Sequence, residues 1–167
     1  MGTAVMASDD AQGRPSPPDG WMWTTIRECS EVVTGTTPSK KVPANYGDYL
    51  PFVKPPQLTD SVVSEAEDQL SVEGAKLARV LPSWSVLVSC IGILGKTAIN
   101  SVPVAFNQQI NAIIFAAEIA PKYGFYYFQS STAKYWLNSV ASATTVTIVN
   151  KSKFQQTPFP LSPLPEQ

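Results

Sequence analysis

Histidine does not occur once in the 167 residues. That absence alone removes His-based zinc sites, a histidine general base and every Ser-His-Asp or Cys-His arrangement. Charge is also sparse, at 15% of residues. Twelve basic side chains stand against 13 acidic ones, so the net charge of −1 gives no general attraction to nucleic acid. Cysteine occurs twice, at Cys29 and Cys90, each in an apolar context. With no histidine beside them they read as reduced, buried thiols and not as a disulfide framework or a metal site. No apolar run reaches the roughly 18 residues of a membrane span, and the start lacks the basic and apolar parts of a secretory signal. A soluble, cytoplasmic protein with no membrane partner is expected.

What is present suits one domain. At 44% hydrophobic the chain can bury one sizeable core, while residues 1–19, with Pro15, Pro17 and Pro18 among small and polar neighbours, read as a disordered leader. The folded unit is expected over 20–167. A short strand from Trp21 should lead into a brief helix over Arg27 to Val33, ended by Gly35. Gly35 to Tyr49 reads as an exposed loop, Leu50 to Val53 as a strand, Thr59 to Asp68 as a mobile or helical excursion and Leu70 to Ala78 as a short helix. Ser85 to Ile91 is almost wholly apolar, as a buried strand should be, and Thr97 to Val104, Gln109 to Phe115 and Thr145 to Val149 read as further strands. Tyr123 to Leu137 is an aromatic-rich helical region broken near Ser130-Ser131, and Lys151 to Gln155 is a turn of helix. The order predicts an α+β domain, strand-rich, with short helices flanking a mixed sheet.

The tail from Pro158 to Gln167 carries four prolines in ten residues, which hold the backbone extended and rule out both a helix and an inner strand. Its last residues read as a helix start, because proline suits the first helical position and Glu166 complements the positive end of the helix dipole. The helix that this signal announces is expected beyond Gln167.

Several motifs could carry chemistry. Gly92-Ile93-Leu94-Gly95-Lys96-Thr97 imitates the end of a phosphate-binding loop, but the glycine required five residues before Gly95 is Cys90, and Ala98-Ile99 continues as a strand. The same residues serve as a turn, with glycines supplying positive φ and Lys96 at the tip. Asn107-Gln108-Gln109 can be read as amides matched to an adenine edge or as amides tying loops together. Lys40 and Lys41 lie in a Pro- and Gly-rich loop with Thr36, Thr37 and Tyr46, all able to contact phosphate or bases. Asp60, Glu65, Glu67, Asp68 and Glu73 cluster as a solvated acidic face, whereas Lys122 to Lys153 holds four lysines and no acid. The aromatics of the helical region read as core.

An ordered set of these pieces resembles a known family. Trp21-Met22-Trp23 with Ile26, Gly35-Thr36-Thr37-Pro38, Leu50 to Lys54, Ser89 to Lys96, Asn107-Gln108 and the Pro-Leu-x-Glu-Gln exit resemble, in that order, a target recognition domain of a type I restriction-modification specificity subunit. The resemblance implies recognition of half of a split double-stranded DNA target, with modification and restriction subunits as partners. The modification subunits bind their own S-adenosylmethionine, so this chain would have no catalytic residue, metal or cofactor. A spacer helix would follow the domain and is absent from these residues. The resemblance also makes Lys96 a phosphate contact, joining Thr36, Thr37, Lys40, Lys41, Tyr46 and Gln109 as DNA-binding residues. Gly35, Pro38, Gly92, Gly95, Asn107 and Gln108 become its structural motif positions. Two other classes stay open on the residues alone: a protein-binding adaptor using the aromatic segment or the proline-rich tail, and a nucleotide-binding enzyme using the Gly-Lys-Thr turn.

Overall fold

The computed structural model describes residues 14–143 and 145–167. Strand β1 (Met22–Thr25) runs through a single helical turn, α1 (Ile26–Cys29), into β2 (Ser30–Thr34). Then come β3 (Tyr46–Val53), β4 (Ser61–Val63), β5 (Asp68–Leu70), α2 (Val72–Leu77), β6 (Val80–Leu81), β7 (Val86–Ser89), β8 (Thr97–Asn100), β9 (Val104–Phe106) and β10 (Ile110–Phe115). The helices α3 (Pro121–Gln129) and α4 (Ser131–Val140) follow. The chain finishes with a β11 (Ser142–Ala143) and β12 (Thr147–Ile148) pair, α5 (Lys151–Gln155) and β13 (Pro158–Leu161).

The strand-rich α+β domain holds two larger sheets where one was expected. Five strands are ordered β2-β10-β7-β8-β4 and four are ordered β5-β3-β9-β6. Both are mixed, since β4 lies parallel to β8 and β3 parallel to β9. Alternation along the strands builds the layers. Val86 and Val88 pack with Phe125, Phe128, Leu137 and Phe154, and Leu87 between them faces Val53, Leu81, Val104 and Phe106. The five-stranded sheet is thus covered by helices on one face and by the second sheet on the other, which is why β7 is buried throughout and apolar up to its last residue, Ser89. Complete burial of a side chain such as Leu87 contributes about 1.5–3 kcal/mol.

Several expected elements change, each because a distant partner outbids local preference. The helix over Arg27 to Val33 stops after one turn. Its β-branched residues join β10 instead, with Val32 opposite Ile113 and Val33 opposite Ala112. The loop after Gly35 ends sooner, because β3 begins at Tyr46 and a bulge between Tyr46 and Leu50 keeps it paired with β5. The stretch from Thr59 to Asp68 is not helical: Ser61 to Val63 adds a parallel strand beside β8, and Asp68 opens β5. Thr97 to Val104 divides into β8 and β9, which enter different sheets on either side of Pro103. Thr145 to Val149 supplies only the two residues of β12.

The aromatic region breaks where Ser130 caps α4, its hydroxyl accepting from the Ala133 N–H at 3.2 Å. The proline-rich tail forms β13, antiparallel to β1, with Pro158 opposite Thr25 and Pro160 opposite Trp23. A two-stranded pair is all edge, so prolines without an N–H are tolerated there. The tail is then pinned by its last residues. Trp21 Nε1 donates to Glu166 Oε2 at 2.7 Å, and Gln167 Oε1 accepts from the Ala120 N–H at 2.7 Å. Of the expected leader, residues 1–13 lie outside the described residues. Beyond them the Pro15 carbonyl accepts from Trp23 Nε1 at 3.1 Å, and the Arg14 guanidinium lies 5.0 Å from the centre of the Trp23 ring.

Candidate nucleic-acid interface

Strand register decides where the loops go. In the five-stranded sheet β2 ends at Thr34, β10 begins at Ile110, β7 ends at Ser89, β8 begins at Thr97 and β4 begins at Ser61. The pairs Asn111 with Thr34, Ile110 with Ser89, Val88 with Thr97 and Ser61 with Ala98 align those termini at one end of the sheet. From the second sheet, Val53 at the end of β3 arrives beside them, its carbonyl accepting from the Asn107 N–H at 3.1 Å. The connections spanning 35–45, 54–60, 90–96 and 107–109 therefore leave from the same end. They carry Thr36, Thr37, Lys40, Lys41, Lys96 and Gln109, and Tyr46 stands at the close of the first.

The first and last of these loops are welded together. Gly35 donates its N–H to the Ile110 carbonyl at 3.2 Å, and Thr36 donates its N–H to the Phe106 carbonyl at 3.0 Å. A Cβ on Gly35 would lie 2.1 Å from the Asn107 carbonyl oxygen, so close approach, and not a helix ending, is what requires glycine here. The Thr37 hydroxyl donates to Gln108 Oε1, which joins the two loops by their side chains. Buried Asn107 accepts from the Gln109 N–H and donates to Gln109 Oε1, both at 3.1 Å. Pro38 is buried, and its carbonyl accepts from the Tyr46 hydroxyl at 2.8 Å. Asn45 Nδ2 donates to the Ser39 carbonyl at 3.0 Å, and the Thr36 hydroxyl accepts from the Arg79 N–H at 2.9 Å. Thr36, Tyr46 and Gln109 thus spend part of their polar capacity inside the protein. Lys41 projects from the Ser39–Val42 turn into solvent.

The Gly92–Lys96 turn is braced as firmly. Gly92 and Gly95 have φ of 79° and 76°. Ser89 Oγ donates to the Ile93 carbonyl at 2.6 Å and accepts from the Lys96 N–H at 2.9 Å. Strand β8 follows where a phosphate-binding loop needs a helix. The Thr97 hydroxyl is committed to Asp60 Oδ1 at 2.5 Å, and the Thr97 N–H donates to the same oxygen at 3.3 Å.

The family model for the type I restriction modification DNA specificity domain matches residues 18–167. The chain belongs to that family. It is 33% identical over 143 residues to the type I restriction enzyme HindI specificity subunit of Haemophilus influenzae, a match covering 83% of this chain and 31% of that one. It is 25% identical over 155 residues to the MjaIX specificity subunit of Methanocaldococcus jannaschii, covering 90% of this chain and 36% of that one. The specificity domain described here thus spans about a third of the length of these curated relatives. Its fold recurs in the HsdS subunit from Thermoanaerobacter tengcongensis, with a TM-score of 0.66 at 20% identity over 93% of this chain and 36% of that one. A chain from a type I R-M system studied for complex assembly and conformational transition gives a TM-score of 0.70 at 21% identity, over 95% of this chain and 38% of its own.

Electrostatics at the loop end of the specificity domain is shaped by one carboxylate. Asp68 pairs with Lys54 at 2.7 Å and with Lys40 at 3.6 Å. The Lys54 ammonium holds the Asp68 carboxyl below its ordinary range, and Asp68 in turn raises the pKa of Lys54. The acidic stretch is therefore not simply a solvated face: Asp68 and Asp60 both hold loops in place. Lys40 also lies 6.0 Å from the centre of the Tyr46 ring. Lys54 is a cation at this cluster that was not among the candidate contacts read from the sequence, and Arg79 meets the first loop through its backbone N–H to Thr36. A lysine between the strand residue Val53 and Pro55-Pro56 was the available signal for the first, and nothing local marked the second. Among the described residues no helix is long and apolar enough to cross a membrane.

Proposed function

We propose that this chain is a target recognition domain that reads one half of a split DNA sequence for a type I restriction-modification enzyme. The family match over residues 18–167 carries the reading, and the gathering of four braced loops at one sheet end supports it. Residues 20–167 form the recognition unit in this proposal, with residues 1–19 preceding it. Lys41, Lys96 and, in competition with Asp68, Lys40 hold phosphates, which fix orientation without carrying sequence information. Thr36, Thr37, Tyr46 and Gln109 are assigned to the DNA contact with them, toward the bases. Gly35, Pro38, Gly92, Gly95, Asn107 and Gln108 keep the loops in shape.

On this reading the chain performs no reaction of its own. It acts in the cytoplasm by directing modification and restriction subunits to a site. Base flipping and methyl transfer belong to the modification subunits, which must reach an adenine inside the duplex. The deciding experiment is a mobility-shift titration of the specificity subunit carrying this domain, assembled with its modification subunits, against random duplexes at two salt concentrations, followed by sequencing of the bound fraction. A steep salt dependence with recovery of one split motif is expected. Binding that is flat in salt, or a bound pool without any motif, defeats the proposal.

A further inference from the structure

Ile93 is 68% exposed, more than any other large aliphatic side chain among the described residues. Chain mobility does not explain that exposure, because the turn that carries it is tied on three sides. Ser89 Oγ holds the Ile93 carbonyl at 2.6 Å, the Gly95 N–H donates to the Ser89 carbonyl at 3.0 Å, and the Gly92 N–H donates to the Thr147 carbonyl at 2.9 Å. Gly92 has no atom within 4 Å of a built Cβ, so glycine is there for its positive φ, which aims the turn. The next residue, Leu94, is buried in the helix-covered core. Two adjacent aliphatic residues are thus split by a rigid backbone, one into the core and one outward.

The surroundings of Ile93 name what it faces. Ile91 bridges to Ile148, which is itself 40% exposed, so an apolar ridge continues from the turn onto the β11–β12 pair. Lysines border it: Lys96 is at the end of the turn, and the Lys134 side chain lies across Gly95, its Cγ 3.1 Å from where a Cβ would stand. Between Glu118 and Glu166 no acid occurs in the sequence. Asp60, which meets the chain just after the turn, is engaged by Thr97. An apolar projection between cations is the complement of a DNA groove, in which base edges lie between two rails of phosphate. In the major groove the one apolar group on those edges is the C5-methyl of thymine.

We propose that Ile93 is a base-reading residue that packs on a thymine methyl in the major groove, with Lys96 and Lys134 on the flanking phosphates. This rests on the recognition function proposed above. The test uses the specificity subunit carrying this domain, assembled with its modification subunits, and the duplex it recovers from a random pool. Deoxyuridine, which lacks only the methyl, replaces each thymine of the half-site in turn. At one position the replacement should weaken wild-type binding about fourfold, the effect of roughly one buried methyl group. Ile93→Ala should bind the thymine duplex more weakly by a similar factor and be indifferent to deoxyuridine at that position, while Ile93→Val keeps the discrimination. Ile93 is at the surface, so thermal unfolding of the variants should match wild type.

Three outcomes overturn the proposal: no thymine of the half-site responds, the deoxyuridine effect persists in Ile93→Ala, or Ile93→Ala impairs subunit assembly with thymine discrimination intact, which would make the ridge a protein contact. Failure of the wild-type complex to recover any motif overturns the recognition function itself, and this inference with it.

Discussion

Replacing Gly35 by alanine should be the most damaging single-methyl change at the loop end. The added Cβ would sit 2.1 Å from the Asn107 carbonyl oxygen, 2.5 Å from that of Phe106 and 2.6 Å from the Asn107 carbonyl carbon. These are backbone atoms of a turn held from both sides, so a flexible side chain cannot yield to relieve the clash. Overpacking of this kind costs about 1–3 kcal/mol. If the 35–45 loop retreats instead, it gives up the Gly35 to Ile110 and Thr36 to Phe106 hydrogen bonds, each contributing about 1 kcal/mol. The expected loss by either route is roughly 2–3 kcal/mol, a large share of the roughly 5–15 kcal/mol that holds a domain together.

Gly92→Ala is the internal control. Its Cβ meets nothing within 4 Å, so only the positive φ is penalised, by about 1–2 kcal/mol. Urea unfolding followed by tryptophan fluorescence measures both. With a slope of about 1–3 kcal/mol per molar, Gly35→Ala should lower the midpoint by about 1–2 M. A Gly35→Ala midpoint equal to or above that of Gly92→Ala would show that the two loops are not packed as described.

Other outcomes follow from the charges and thiols. Lys41→Ala and Lys96→Ala should each weaken DNA binding evenly across sequences and reduce the salt slope by about one unit, whereas Lys40→Ala, whose ammonium also serves Asp68, should do less. An altered sequence preference in any of them would move that residue from phosphate to base contact. Asp68 has a depressed folded-state pKa, so its contribution is present above the ordinary value of 3.8 and is lost as pH falls through the lower folded value; wild type should lose stability relative to Asp68→Asn across that acid window. For Lys54 the shift is upward, so the same pair's contribution, present at neutral pH, should fade as pH rises past the ordinary 10.5 and through the higher folded value. Equal pH profiles for wild type and Asp68→Asn would dismiss the ion pair as a source of stability. Burial pushes Cys29 up to about 11 and Cys90 up to about 12, so at pH 8 both thiols are neutral, and a disulfide reagent should consume them only when urea unfolds the chain. Fast labelling in the native state would contradict their burial.

The sequence by itself determined what depends on neighbours a few residues away. The nearly apolar run from Ser85 to Ile91 announced a buried strand, Ser130-Ser131 announced a break in the aromatic helical region, the glycines at 92 and 95 announced a tight turn, and Cys90 in place of a glycine disqualified the phosphate-binding loop. The ordered motifs from Trp21 to Gln167 pointed to the family to which the chain belongs. Tertiary structure alone decided what depends on partners far along the chain. Gly35 looked like a helix stop until Asn107 was brought against it. Val32 and Val33 looked helical until β10 brought Ile113 and Ala112 opposite them. Lys40 looked free until Asp68 closed on it, and the proline tail became a strand only because β1 offered an edge. Propensity acts over a turn or two and contributes tenths of a kcal/mol to about one per residue, while pairing and burial act between any segments that meet and contribute several. Which loops share one end of the sheet is set by strand register, and register is fixed by cross-strand burial that no local pattern contains.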